Sequence, residues 1–260
     1  LIGFTDTTFL FVGTDFVLII LADTFSDILF ILSEIIVIDS NSTDNTCAIA
    51  ESFGAKVYNE EWRGFVEQKN SLTAKCTKEY ILYLDADEVV GDELKKAIID
   101  AVKNGKSDGY YIRRKTHYLG KLLNYSWQKD ERLRLVKKAA DPLWVGEIVH
   151  EELKINGSTS HLAGFIIHYS YRDIDDHFRR TIRYARLSAE SYYKKGKKFK
   201  LSKMIFSPAI AFIKIYIIKG GFLDGIPGFI AGVSAYVYGF LKYAFLWDMY
   251  RINKNKDLNK

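Results

Sequence analysis

Two acidic turns hold the residues most suited to chemistry. They are Asp39-Ser40-Asn41-Ser42-Thr43-Asp44 and Asp85-Ala86-Asp87-Glu88. Carboxylates at i and i+2 on an extended turn point to the same side. Such a pair suits a hard divalent cation, Mg²⁺ or Mn²⁺, because these ions take oxygen ligands and complete their shell with water and phosphate. A cation held by Asp85 and Asp87 would bridge a diphosphate and neutralise it as a leaving group. A lone Asp-x-Asp is more often a solvated turn that caps a helix, so placement has to decide.

Placement favours the chemical reading. Ser33 to Ser40 is a continuous β-branched run, as expected of a strand buried on both faces, and it runs into Asp39. Tyr80 to Leu84 is a second such strand, and it runs into Asp85. In open α/β sheets ligands bind beyond the carboxyl ends of the strands. Thr43 or Asp44 caps a helix over Thr46 to Phe53, which Gly54 stops. Ala55 to Tyr58 reads as a short strand and Phe65 to Lys75 as a helix. Gly91 to Lys103 is an amphipathic helix with Leu94, Ala97, Ile98, Ala101 and Val102 on one face. Gly109 to Arg113 is a strand. This alternation predicts an α/β sandwich with a mostly parallel sheet. Near the N-terminus, Phe9 to Val12 reads as a strand and Phe16 to Leu32 as a helix. Asp23 and Asp27 argue against a membrane span there, at about 2.5–3.5 kcal/mol each.

The chain has 260 residues, nearly half of them apolar. That is enough for one large domain or one domain with an appendage. The net charge is +5, with acidic residues frequent up to Asp108 and basic ones dominant from Arg113. A basic C-terminal half faces anions or is simply a solvated surface. Cys47 and Cys76 lack metal-ligand spacing and suit a reduced, cytoplasmic compartment. No secretory signal is evident.

With these elements set out, the sequence resembles family 2 glycosyltransferases. The resemblance rests on Ile36-Val37-Ile38-Asp39-Ser40-Asn41-Ser42-Thr43-Asp44-Asn45-Thr46 followed by Asp85-Ala86-Asp87-Glu88. Gln68-Lys69-Asn70, Val149-His150-Glu151 and Gly221-Phe222-Leu223-Asp224-Gly225 extend it toward the lipopolysaccharide-core β-glucosyltransferase branch. The resemblance implies a nucleotide-binding, Rossmann-like α/β sandwich of the glycosyltransferase A type. It implies that Asp39 contacts the uracil or ribose of a UDP-sugar, that Asp85 lies near the ribose and metal, and that Asp87 ligates the metal. Lys69 would lie near the nucleotide or diphosphate, or else be a surface helix lysine. The polar Asn-Glu turn usual after the family's first strand has no counterpart in Leu1 to Ser33, where Gly13-Thr14-Asp15 is the nearest substitute.

Inverting transfer needs a base for the acceptor hydroxyl. By the family pattern Glu151 fills that role, with His150 orienting it or adding a metal ligand. Asp130 and Glu131 are the rivals. Arg132 and Arg134 would contact phosphate or acceptor sugar, or lie on a solvated strand face.

From Lys115 to about Tyr171 the pattern is irregular. Asp173 to Lys195 is a long charged helix, followed by Lys194, Lys195, Lys197, Lys198, Lys200 and Lys203. Met204 to Ile218 and Ile226 to Trp247 are strongly apolar. They read as helices lying in a membrane interface in preference to a span. The expected organisation is thus a nucleotide-sugar-binding catalytic domain over 1–171 and a helical, membrane-associating region over 172–260. The function expected is transfer of a sugar from a UDP-sugar to a lipid-linked or cell-envelope glycan, with a divalent metal, at the cytoplasmic face of the membrane. The alternative is a non-catalytic, membrane-associated sugar-nucleotide or glycan binder derived from such an enzyme. A nucleic-acid partner is not expected, because the basic patch adjoins apolar helices rather than a groove-reading motif.

Overall fold

The computed structural model describes residues 34–127, 130–146 and 151–258, with side chains up to Ile252. The expected strand at Phe9 to Val12, the helix at Phe16 to Leu32, the Gly13-Thr14-Asp15 turn and His150 lie outside the described residues. The chain forms two compact units. The first comprises the described parts of Leu1–Arg114 and Lys129–His168, the second those of Lys115–Gln128 and Tyr169–Lys260.

The first unit is mixed α/β. Strand β1 (Ile36–Asp39) pairs in parallel with β2 (Lys56–Asn59), across the crossover helix α1 (Thr46–Ser52). Every residue of β1 is buried. Val37 joins a cluster with Leu84, Leu94, Ile98, Ile112, Leu135 and Ile166. Ile36 and Ile38 face the opposite way, into a cluster with Leu72, Ile81, Tyr83, Val136 and Trp144. A strand with cores on both faces has no polar side, which is why its sequence runs apolar without alternation. Helix α2 (Phe65–Lys75) contributes Leu72 to the second cluster.

The remaining strands of this unit are β3 (Tyr80–Leu82), β4 (Glu88–Val90), β5 (Gly109–Tyr118), β7 (Asp130–Lys137) and β10 (Thr159–His168). Their order is β3-β7-β5-β10-β4. The pairs β3–β7, β5–β7 and β10–β4 are antiparallel. The expectation of a mostly parallel sheet is therefore corrected, while the α/β class stands. A parallel pair needs a crossover, usually a helix, whereas antiparallel partners can be joined without one. Only the first third of the chain has the regular strand-helix alternation. The stretch that looked irregular after Lys115 supplies much of the sheet. The short β6 (Lys121–Leu122) pairs with the end of β5, and β8 (Leu143–Val145) pairs with β9 (Glu152–Lys154).

Helix α3 (Asp92–Asn104) buries Leu94, Ile98 and Ala101 against the first cluster, and each fully buried Leu or Ile contributes about 1.5–3 kcal/mol. Its packing on β10 is close. Gly164 sits at φ 83°, and a Cβ there would overlap the backbone nitrogen of Leu94.

In the second unit, helix α4 (Ile174–Lys194) is capped by Asp173, whose carboxylate accepts the Asp176 N–H at 2.8 Å. Helix α5 (Leu201–Phe212) continues into a π-helical turn, Ile213–Ile218, and helix α6 runs from Ile226 to Leu258. Glycines let α5 approach α6. A Cβ on Gly228 would overlap the carbonyl oxygen of Gly221, and one on Gly239 would lie 3.2 Å from Pro208 Cα. The expected matches at Phe65 to Lys75, at the charged helix and at the two apolar stretches all fold as helices.

The turn between α5 and α6 is clasped by Asp224, which is 1% exposed. Its carboxylate accepts the backbone N–H groups of Asn124 (2.8 Å), Tyr125 (3.1 Å) and Ser126 (2.8 Å), and the Ser126 hydroxyl (2.8 Å). In the same unit, the buried imidazole of His177 shares a hydrogen bond of 2.6 Å with Tyr118 Oη through Nδ1. Burial pushes the His177 pKa down to about 4, so the ring is neutral at physiological pH.

Candidate functional site

The first acidic turn begins where β1 ends. Asp39 is buried, and its carboxylate accepts the Ser42 N–H at 2.8 Å and the Ser42 hydroxyl. This closes the chain into a tight turn. Asn41 takes the left-handed conformation at φ 65°, which asparagine tolerates better than most residues. The Asn41 N–H donates to Asn59 Oδ1 at 3.3 Å, and the Glu60 N–H donates to the Asp39 carbonyl at 2.8 Å. The carboxyl ends of β1 and β2 are thus tied together. Asp44 accepts the Thr46 N–H at 3.0 Å and so covers an orphan donor in the first turn of α1.

Helix α2 connects this turn to the rest of the site through three consecutive side chains. Gln68 Nε2 donates to Ser40 Oγ at 3.0 Å. Lys69 Nζ lies 3.2 Å from Glu151 Oε1 and 3.4 Å from Asp85 Oδ1, and 4.4 Å from the centre of the Trp144 ring. Asn70 grips the backbone of Trp144 twice, donating to its carbonyl at 2.9 Å and accepting its N–H at 2.8 Å. Gln68 and Lys69 are both buried. A buried ammonium needs counter-charges, and Asp85 and Glu151 supply them.

The second acidic turn is neutralised from the sheet. Arg134 of β7 donates one nitrogen to Asp85 Oδ2 and to Glu88 Oε1, each at 2.8 Å. Arg114 of β5 donates to the same Glu88 oxygen at 3.0 Å, and its other nitrogens reach Asp130. Glu88 is fully buried, and its second oxygen accepts the Asp85 N–H at 2.9 Å, which closes the turn. Burial works against charge on Asp85, but the Arg134 guanidinium and the Lys69 ammonium outweigh it and hold its pKa well below the usual carboxylate range. Burial likewise opposes charge on Arg134, yet Asp85 and Glu88 raise its pKa.

Asp87 stands apart from this network. Its Oδ2 lies 3.1 Å from His168 Nε2, and its side chain is 35% exposed. His168 ends β10 and is paired in register with Glu88. Among the described residues no group of three or more His, Cys, Asp or Glu side chains converges on a metal position. The donor set nevertheless fits a cation that takes only one or two protein ligands and shares the rest with phosphate and water. In that arrangement Asp87, beside His168, offers a carboxylate, and Asp85 would have to exchange a contact with Lys69 or Arg134 for the metal.

The structure thus brings Lys69, Asp85 and Glu151 into direct contact and ties Asp39 to them through Ser40 and Gln68. Of the rival bases, Asp130 is held on one oxygen by Arg132 at 2.8 Å and on the other by Arg114. Burial opposes its charge, but Arg114 and Arg132 lower its pKa. Glu131 pairs with Arg113 at 3.7 Å and with His161 at 3.2 Å. His168, Glu88 and Arg114 were not singled out from sequence as separate functional residues. Glu88 was visible only as the tail of the acidic motif. His168 closes a long strand of alternating burial, and no spacing pattern links it to Asp87.

Two buried polar atoms have no hydrogen-bond partner among the described residues besides an indole nitrogen of Trp144: Gln68 Oε1 and Arg134 Nη1. One is an acceptor beside the first turn, the other a cationic donor beside the second. Buried polar groups left unpaired cost free energy.

A mixed α/β fold with two acidic turns at strand ends, linked through Gln68 and Lys69 of one helix, places a polar site where such folds bind ligands. Residues 20–150 match Glycosyl transferase family 2. The chain is 30% identical over 243 residues to an uncharacterized glycosyltransferase of Rickettsia felis (strain ATCC VR-1525 / URRWXCal2), covering 86% of this chain and 84% of that one. It is 25% identical over 235 residues to the lipopolysaccharide core biosynthesis glycosyltransferase LpsC of Rhizobium meliloti (strain 1021), covering 87% of each. Among solved structures it is similar to S. aureus TarS 1-349 in complex with UDP-GlcNAc, with a TM-score of 0.39 and 17% identity over 80% of this chain and 72% of that one. That last likeness is too loose to align side chains. The chain belongs to glycosyl transferase family 2 and is a glycosyltransferase.

Proposed function

We propose that this glycosyltransferase moves a sugar, with inversion, from a UDP-sugar to a glycan or glycolipid acceptor of the cell envelope at the cytoplasmic face of a membrane. The observation that carries the reading is the Lys69 bridge. One buried ammonium contacts both Asp85, of the nucleotide-sugar motif, and Glu151, the candidate base. The likeness to a lipopolysaccharide core glycosyltransferase supports the acceptor class.

In this reading Asp39 and the Ser40–Gln68 contact hold the nucleoside, and the unpaired Gln68 Oε1 accepts a hydrogen bond from it. Arg134 offers its free nitrogen to the diphosphate, and Asp85 keeps Lys69 and Arg134 in place. A divalent metal, Mg²⁺ or Mn²⁺, held through Asp87 with His168, and with Asp85 and His150 as the other proposed ligands, would supply charge neutralisation for the departing diphosphate. Glu151 takes the proton of the acceptor hydroxyl as that oxygen attacks the anomeric carbon from the face opposite the diphosphate. Lys69 orients Glu151 through Oε1. The catalytic role falls to the domain expected over 1–171, and membrane association to 172–260.

The test is a donor screen, UDP-glucose first, with Mn²⁺ or Mg²⁺ and a lipid-glycan extract. Glu151→Gln should retain donor binding and slow transfer by roughly 10²–10⁴-fold, the usual contribution of a positioned base. Equal loss of donor affinity would make Glu151 a donor ligand instead. A larger kinetic defect in Asp130→Asn would move the base to Asp130.

A further inference from the structure

The second unit exposes a continuous apolar surface. Leu201, Ile205, Phe206, Ile210, Ile213 and Ile217 line one side of α5 and its π-helical extension, all exposed. Phe222, Leu223 and Ile226 carry the surface across the turn into α6. Soluble monomers rarely leave so long an apolar patch uncovered. The charges around it identify the occupant. Between Lys194 and Lys219 the sequence has eight lysines and no acidic residue. A surface that is apolar along its length and purely cationic otherwise complements acyl chains and anionic headgroups. A second copy of the same face would set lysines against lysines.

Resting on the membrane partner proposed above, we infer that the α5–α6 hairpin lies flat in one leaflet of an anionic bilayer and does not cross it. By length and composition alone Leu201–Ile218 and Ile226–Ile252 are each able to span. The packing of the unit argues otherwise. Helices α4 and α5 each pack against α6. α4 runs parallel to α6, because Ser188 meets Tyr238 at 2.7 Å and Tyr193 meets Tyr250 at 4.9 Å between ring centres. α5 runs antiparallel to α6, with Pro208 beside Gly239 and Phe212 beside Gly232.

The two ends of this array are therefore distinct. One end holds the start of α4, where His177 meets Tyr118, and the turn before α6, where Lys121 Nζ donates to the Asp224 carbonyl at 3.0 Å. The other end holds the lysines that follow α4. A crossing hairpin would send these ends to opposite sides of the bilayer and draw α4 across with it. That helix exposes Arg179, Arg183 and Arg186, and charged side chains are rare and costly at the bilayer centre. Lying flat resolves the conflict. The apolar row enters the acyl boundary, the lysines reach phosphates, and the arginines of α4 stay in water.

The experiment uses the full chain with Cys47→Ser, leaving the buried Cys76 in place. Single cysteines are introduced by Leu201→Cys, Ile210→Cys and Ile218→Cys, labelled with a polarity-sensitive fluorophore, and mixed with vesicles of phosphatidylcholine alone or with phosphatidylglycerol. Vesicles carry a quencher at a shallow or a deep acyl position. Far-UV circular dichroism confirms that each variant is folded. Partition should be roughly tenfold or more stronger with phosphatidylglycerol, and the shallow quencher should act comparably at all three positions. Binding with deep quenching confined to Ile210→Cys would show a span and overturn the flat placement, leaving the membrane reading intact. Absence of binding to both vesicles, or replacement of binding by self-association, would overturn the membrane reading itself.

Discussion

Replacing Lys69 with Met tests the centre of the site. The side chain is 4% exposed, and its ammonium touches Asp85 and Glu151, whose side chains are 26% and 23% exposed. Met retains most of the apolar stem, so packing is largely kept and the charge is lost. Removing one member of a buried ion pair costs about 3–5 kcal/mol. Both carboxylates retain some water and Asp85 keeps Arg134, so the expected loss is smaller, about 2–3 kcal/mol. Loss of the cation over Trp144 adds roughly 0.5–1 kcal/mol. For a chain of this size that amounts to a fall in melting temperature of about 5–10 °C.

The pH dependence provides an independent check. The folded pKa of Asp85 lies below its unfolded value. The stability it contributes is therefore fully present above the unfolded pKa, about 3.9, and is lost as pH falls through the folded value. Part of that stability comes from Lys69. The gap between wild type and Lys69→Met should be constant near neutrality and narrow below about pH 4. Urea unfolding at pH 7 and at acid pH measures both quantities. In turnover assays kcat/KM should fall about 10²-fold, near 2.7 kcal/mol. A variant that melts within a degree of wild type and turns over normally would show that Lys69 does not bridge the two carboxylates in solution.

Asp87→Asn and His168→Ala should each weaken divalent-metal activation, read as a rise in the Mn²⁺ concentration for half-maximal activity, with little change in melting temperature because Asp87 is partly exposed; an unchanged metal dependence in both would remove this pair from the site. Asp224→Ala should leave three backbone N–H groups of the 124–126 turn without their carboxylate, costing about 3 kcal/mol or more in unfolding free energy, whereas Asp224→Asn, which keeps an acceptor, should lose less. Gly228→Ala should push α6 away from the Gly221–Asp224 turn and cost on the order of 1–3 kcal/mol; wild-type thermal stability would mean that the close approach relaxes freely.

Much of the framework is written locally in the chain. The unbroken apolar runs before Asp39 and before Asp85 specify strands buried on both faces, and their polar endings place two acidic turns at strand ends. The apolar stripe of Gly91 to Lys103 specifies a helix lying on a core, and Gln68-Lys69-Asn70 falls on a helix bounded as its pattern implies. Such features depend on periods of two or about 3.6 residues and on turn chemistry, which a short window contains. The partners of the acidic turns are not local. Arg134 is 49 residues from Asp85, Arg114 is 26 residues from Glu88, and His168 is 81 residues from Asp87. They meet only because β3 and β5 pair antiparallel with β7, and β10 with β4, each in one particular register. That register follows from which faces are buried across the whole sheet, and a slip of one residue would turn Arg134 away from Asp85. Sequence alone therefore determined which carboxylates stand at the strand ends, while the tertiary structure decided which cations hold Asp85 and Glu88 and that Asp87 meets His168.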